Sequence, residues 1–226
     1  MRYYPICLNI TNKRCIVVGG GAVGERKAER LLKCGARVAV VSRELTPALE
    51  RMKNEGWIEH IDAEYDAAHL DLAFMAIGAA SRDEVNKKIS EDARARGILV
   101  NIVDDPGRGD FILPSLVERG DLVIAVSTGG KSPALAKKLR KDLESLFGQE
   151  YAVFLDIMGD LREQALVGGS SSEENRRIFE AIVNSDILCN IKEGNWEVVK
   201  GRLMEIAGAG VRLNGKGIGA GDSVKG

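Results

Sequence analysis

Residues 14–32 read RCIVVGGGAVGERKAERLL. Cys15, Ile16, Val17 and Val18 form a short apolar run that enters three consecutive glycines before a charged, helix-forming segment begins. Gly19, Gly21 and Gly24 thus make a GxGxxG pattern between a predicted strand and a predicted helix, the context in which the pattern carries a mechanism. One glycine permits a tight turn, the next lets backbone approach a pyrophosphate, and the third lets helix and strand pack closely. The first helical residues, Ala22 and Val23, present free N–H groups and the positive dipole end to phosphates. GxGxxG also occurs in ordinary glycine-rich loops, so the segment that follows matters. Residues 37–41, RVAVV, supply a second strand and close a βαβ unit of about 30 residues, and dinucleotide binding is the expectation.

The whole chain limits the alternatives. Its 226 residues suffice for one large or two modest domains. With 32 basic against 33 acidic residues there is no global field that would draw nucleic acid or a membrane surface. Cys7, Cys15, Cys34 and Cys189 show no CxxC or other metal-ligand spacing. Two of them sit in apolar surroundings and read as reduced core thiols of a cytosolic protein. No apolar run reaches the roughly 18 residues of a membrane span, and the first residues lack a signal-peptide pattern. A cytoplasmic chain without nucleic-acid or membrane partners is expected.

Residues 1–13 read as a lead-in segment lying against the first strand. Thr46-Pro47 opens a helix with an N-cap and a proline at its first position, and Gly56 ends it. Residues 57–61, 70–77 and 98–103 supply three more strands, with a helix over 82–96. Strands alternating with helices predict an α/β fold with a Rossmann-type, doubly wound parallel sheet. In such sheets ligands collect beyond the carboxyl ends of the strands, so the loops starting at Gly19, Ser42, Gly78 and Asp104 are expected to face one crevice. From Asp104 the composition changes. Residues 111–117 and 122–126 read as an antiparallel strand pair joined by Glu118-Arg119-Gly120-Asp121. Then come Ser127-Thr128-Gly129-Gly130-Lys131-Ser132-Pro133, a basic helix over 134–147, and further helices over 151–166, 173–185 and 196–207. An anionic ligand at the start of the basic helix is plausible on dipole grounds. The expected division is a dinucleotide-binding domain over residues 1–112, a paired-strand region over 113–148, a helical domain over 149–207 and a flexible tail over 208–226.

On three segments the chain resembles the precorrin-2 dehydrogenases of siroheme biosynthesis, a family that also forms the N-terminal part of multifunctional siroheme synthases and in some organisms doubles as sirohydrochlorin ferrochelatase. The segments are Tyr4-Pro5-Ile6 leading to VVGGGAVGERKAERLL, NIVDDP with the following DFILPSLVERGDL, and IAVSTGGKSPALAKKLR at 124–140. The likeness covers roughly residues 1–165. It implies NAD-dependent oxidation of precorrin-2 to sirohydrochlorin, a homodimer held through the central strand pair, and an active site between domains. The length is expected to leave no room for the methyltransferase domain of the fused enzymes.

The resemblance also assigns residues. Asp104, in the Asn-x-Val-Asp segment, is the implied catalytic residue; independently, it ends the fifth strand, and in the crevice its carboxylate would accept a substrate proton. Thr128 stands where similar proteins carry a hydroxyl at the substrate cleft, and Ser127, Gly129, Lys131 and Ser132 share its loop. Hydroxyls, a lysine and a helix N-terminus suit the acetate and propionate groups of precorrin-2. The cofactor is less plain. Rossmann sites for NAD place an acidic residue about 20 residues beyond the glycines, whereas here Ser42, Arg43 and Glu44 follow the second strand. Arg43 would favour a 2′-phosphate, Glu44 or backbone groups a ribose hydroxyl; the resemblance points to NAD. His60 and His69 have no partner at ligand spacing and read as ordinary histidines. Iron insertion stays open, with Asp104 its candidate residue. The alternative from another class is a dinucleotide-sensing regulatory module without catalysis.

Overall fold

The computed structural model describes residues 3–167 and 171–208. The chain divides into two compact units, one ending at Leu113 and the other starting at Pro114.

In the first unit five parallel strands, β1 (Arg14–Val18), β2 (Arg37–Val41), β3 (Ile58–Ile61), β4 (Met75–Gly78) and β5 (Leu99–Ile102), lie in the order β3-β2-β1-β4-β5. The order reverses direction at β1, which pairs with β2 on one side and β4 on the other. Alternation along the strands builds two cores. Cys15 and Val17 join Val38, Val40, Met75 and Ile77 on the face that also buries Ala28 and Leu31 of α1 (Ala22–Lys33) and Leu49 and Met52 of α2 (Pro47–Asn54). Ile16 and Val18 join Ala39, Val41, Val100 and Ile102 on the other face, against Ile89 and Ala93 of α3 (Asp83–Ala95). Helices on both faces make this the expected doubly wound sheet. Thr46 caps α2 by accepting from the Leu49 N–H, with Pro47 at the first turn.

Two strands differ from expectation. β4 starts at Met75 rather than residue 70, because Ala67–Leu70 is a 3₁₀ turn in which Asp66 accepts from Ala68 while the His69 ring accepts from the Asp66 N–H. Leu72 then takes φ 61°, which no strand can continue. The strand expected over 111–117 is instead β6 (Ser115–Arg119). Before it, residues 110 and 111 lie beside β5: the Asp110 N–H donates to the Val100 carbonyl at 2.8 Å, and Asn101 Nδ2 donates to the Phe111 carbonyl at 2.9 Å. Residues 4–9 are exposed, and among the described residues of the lead-in segment only Ile10 enters the core. Of the cysteines only Cys15 is buried, so one thiol rather than two belongs to the core.

In the second unit β6 pairs antiparallel with β7 (Leu122–Val126), Arg119 opposite Leu122. Glu118 and Arg119 are therefore strand residues, and the turn is only Gly120-Asp121, with Gly120 at φ 55°. Arg119 ties the hairpin to the end of α4 (Pro133–Leu146): its Nε donates to the Phe147 carbonyl at 2.8 Å and its Nη2 to Glu144 at 3.1 Å. Helices α5 (Glu150–Val167), α6 (Ser172–Val183), α7 (Ile187–Glu193) and α8 (Trp196–Ala207) enclose Phe154, Ile157, Leu161, Ile182, Ile187, Ile191, Val199 and Leu203. Helix α7 was not expected from the sequence. Its seven residues hold two buried positions, Ile187 and Ile191, too few for a visible period. The tail expected over 208–226 lies outside the described residues beyond Gly208.

Candidate functional site

A cleft of about 590 Å³ opens beyond the carboxyl ends of β1, β2, β3 and β4 in the first unit. Its floor is Val18 and Gly19 to Gly21; one wall is Ser42 to Thr46 after β2, another Ala79 to Arg82 after β4, and Ala63 to Tyr65 close it on the β3 side. This is the reversal point of the strand order, where ligands of open α/β sheets bind.

The glycines differ in what they do. Gly19 has φ 122°, and a Cβ there would stand 2.8 Å from the Ala79 carbonyl carbon. At Gly20 it would meet Ser42 Oγ at 2.8 Å and Leu45 at 2.9 Å. At Gly24 it would overlap the Gly19 carbonyl, so this glycine is what lets α1 sit on β1. Gly21 is different: it lines the cleft, and a Cβ there would meet nothing within 4 Å. Gly21 is also the N-cap of α1, and no side chain caps that end, in contrast to α2. Gly21 thus brings the uncapped start of α1 to the cleft, the kind of helix end that suits an anion, while Ala22, Val23 and Gly24 lie outside the cleft lining.

The rim is charged. Ser42 follows β2, but its hydroxyl donates to the Glu44 carbonyl at 2.8 Å, and its own carbonyl contacts His60 Nε2 at 2.8 Å. Arg43 and Glu44 are exposed and line the cleft. Arg43 pairs with Asp62 at 3.7 Å, and Arg82 with Glu64 at 3.8 Å. Tyr65 donates to Asp92 at 3.1 Å; burial and then that carboxylate push its phenol well up, so it remains a neutral donor. Asp62, Glu64, Tyr65 and Arg82 were not anticipated. The position of residues 62–65 after β3 was the available signal.

Asp104 stands apart from this lining. It follows β5 with φ 64°, a conformation uncommon outside glycine, and it is exposed rather than buried. The loops after β1, β2 and β4 share the cleft, whereas the loop after β5 turns elsewhere because its own bonds hold it. Ser90 Oγ donates to the Arg108 carbonyl at 2.6 Å, Asp105 accepts from Gly107 at 3.0 Å, and Arg108 pairs with Asp83 at 2.6 Å and Asp105 at 3.1 Å. The Asp104 carboxylate acts on Lys27 of α1. Burial, then Arg26 and Arg30, lower the Lys27 ammonium from its ordinary value, and Asp104 opposes them. An αL aspartate held by a bonded loop, beside a partly buried lysine, has the marks of stored backbone strain that cluster at functional sites.

The loop of Ser127 to Ser132 belongs to the second unit. Its hydroxyls already accept backbone N–H groups: Ser127 from Gly129 at 3.1 Å, Thr128 from Ser132 at 3.1 Å, and Ser132, capping α4, from Leu135 at 3.2 Å. Each hydroxyl keeps its own proton to donate. Gly129 has φ 62°, and Lys131 is exposed. His69 is occupied in the 3₁₀ turn. Among the described residues, no group of three His, Cys, Asp or Glu side chains is placed to hold a metal ion, and no helix is long and apolar enough to cross a membrane.

Comparison with known proteins agrees with this geometry. Residues 6–115 match the family described as "Putative NAD(P)-binding", and residues 119–146 match the sirohaem biosynthesis protein central family. The chain is 40% identical over 188 residues to siroheme synthase 1 of Aeromonas salmonicida, covering 83% of this chain and 40% of that one. It is 36% identical over 217 residues to the siroheme synthase of Methylobacillus flagellatus, covering 96% of this chain and 45% of the relative. Over these spans the chain is similar to the siroheme synthases. It spans less than half the length of these relatives. The fold matches that of SirC, a precorrin-2 dehydrogenase, with a TM-score of 0.76 at 22% identity, over 91% of this chain and 99% of SirC.

Proposed function

We propose that this chain oxidises precorrin-2 to sirohydrochlorin with NAD as hydride acceptor. The observation that carries the reading is the glycine-lined cleft at the uncapped end of α1, in a chain similar to siroheme synthases over most of its length. Gly19, Gly21, Ala22, Val23 and Gly24 would hold the pyrophosphate, and the segment with Arg43 and Glu44 the ribose. Bound there, NAD supplies the acceptor for one hydride. The substrate also loses one proton, and Asp104, exposed and held at φ 64°, is the base that would take it. Ser127, Thr128 and Ser132 would donate hydroxyl hydrogens to the substrate carboxylates, with the Gly129 turn and Lys131 beside them.

A homodimer belongs to the same reading. The β6–β7 hairpin is a two-stranded sheet, and Val123 on β7 and Leu135 and Leu139 on α4 are at least 40% exposed, apolar side chains that a second copy would cover. The catalytic assignment is tested by Asp104→Asn. Turnover of precorrin-2 should fall at least a hundredfold while NAD⁺ affinity, measured by calorimetry, stays within about twofold, in line with the usual contribution of a positioned base. Wild-type turnover in the variant would remove Asp104 from the mechanism.

A further inference from the structure

The rim of the cleft carries paired charges whose partners come from one short loop. Arg43, after β2, has Nη1 3.7 Å from Asp62 Oδ1 and 3.5 Å from the Asp62 carbonyl oxygen. Arg82, after β4, has Nη2 3.8 Å from Glu64 Oε1. Residues 62–64 follow β3, so two guanidiniums on opposite walls are both drawn toward the β3 side. The residue that follows β2 cannot discriminate between cofactors by charge, because it is Ser42 and its hydroxyl donates to the Glu44 carbonyl. Discrimination is left to the rim. There Glu44 and Glu64 balance Arg43 and Arg82, and Asp62, which pairs with Arg43 from just outside the cleft lining, brings the group of five to a net charge of −1.

A phosphate monoester carries roughly −1.5 to −2 charge near neutral pH, and an arginine near the ribose is the usual means of accommodating a 2′-phosphate. We propose that Asp62 and Glu64 determine cofactor specificity: by holding Arg43 and Arg82 they withhold both cations from a 2′-phosphate and make the cleft select NAD over NADP. The inference rests on the dinucleotide reading of the cleft and assigns its selectivity to residues outside the glycine motif. The paired side chains are all more than 60% exposed, so their contribution to folding stability is small. Their effect lies in the charge a ligand meets. Neutralising both carboxylates turns the rim from net −1 to net +1, given the pairs above.

The test is calorimetric titration of the full chain with NAD⁺ and with NADP⁺. The wild type should bind NAD⁺ at least about tenfold more tightly. In Asp62→Asn/Glu64→Gln the ratio of the two dissociation constants should move toward NADP⁺ by about tenfold or more, a change of roughly 1.4 kcal/mol. That shift should shrink at high ionic strength, since exposed charges are screened. Adding Arg43→Ala and Arg82→Ala should abolish it. An unchanged ratio in the double variant, a shift that survives loss of both arginines, or a wild type that prefers NADP⁺ overturns the inference and leaves the dinucleotide reading standing. A wild type that binds neither overturns both.

Discussion

Gly21 and Gly24 lie three residues apart in one motif, yet the structure gives their alanine variants opposite phenotypes. At Gly24 the new Cβ would stand 2.9 Å from the Gly19 carbonyl carbon and overlap its oxygen, where 3.4 Å is the near edge of ordinary contact. Both partners are backbone, so α1 must lift from β1. Overpacking of this kind costs about 1–3 kcal/mol, against which alanine returns about 0.8–1 kcal/mol of helix propensity. Because the overlap is with backbone, the upper end of that cost applies and the expected net loss is about 2 kcal/mol. At Gly21 the backbone is extended, φ −81° and ψ −178°, and the Cβ meets nothing. Loss of a glycine N-cap and gain from a stiffer unfolded chain are each below about 1 kcal/mol and opposite in sign, so stability should hold within about 0.5 kcal/mol. A methyl group on this cleft-lining residue should, however, hinder close approach of a pyrophosphate to the backbone, and dinucleotide affinity should fall about tenfold or more, some 1.4 kcal/mol. Urea denaturation measures the first quantity and calorimetric titration with NAD⁺ the second. Full dinucleotide affinity in Gly21→Ala, or undiminished stability in Gly24→Ala, would refute the division of roles.

Two further outcomes follow from burial and exposure. Burial, with Cys34 adding to it, pushes the Cys15 thiol up from 9.0 to about 11, so the unfolded chain ionises first. The stability this thiol contributes is present below pH 9 and is lost as pH rises through about 11; in urea titrations across that window Cys15→Ala should decline less steeply than the wild type, and parallel declines would contradict the assignment. Sedimentation equilibrium should give twice the 24.4 kDa chain mass, and Leu135→Glu/Leu139→Glu should shift it toward the single chain; a wild-type monomer at micromolar concentration would exclude the proposed apolar interface.

The centre of the sheet was legible because β1 and β2 are short, β-branched runs buried on both faces, with a helix between them. RVAVV became β2 residue for residue, and the glycine pattern placed the cleft through its steric demands. The errors came where a local bond competes with an apolar run. Leu70 to Phe74 looks like strand, but Asp66 and His69 close a turn just before it. Phe111 to Pro114 looks like strand, but Asp110 and Phe111 bond back to β5. The rim pairs Arg43–Asp62 and Arg82–Glu64 were illegible for another reason: their partners lie 18 to 19 residues apart, and only the closing of the sheet brings them together. The hydroxyls of the Ser127 to Ser132 loop were recognised as a group, while their use as acceptors for the loop's own N–H groups depended on backbone angles that composition does not reveal.

Removal of a hydride and a proton from precorrin-2 at the glycine cleft is tested most directly by mixing the full chain with NAD⁺ and freshly made precorrin-2 and following NADH and sirohydrochlorin absorbance together. Both should rise at one rate with one NADH per sirohydrochlorin, and Gly21→Ala should slow both in parallel. Tight NAD⁺ binding with no NADH formed, or sirohydrochlorin appearing equally fast without NAD⁺, would contradict the proposed reaction.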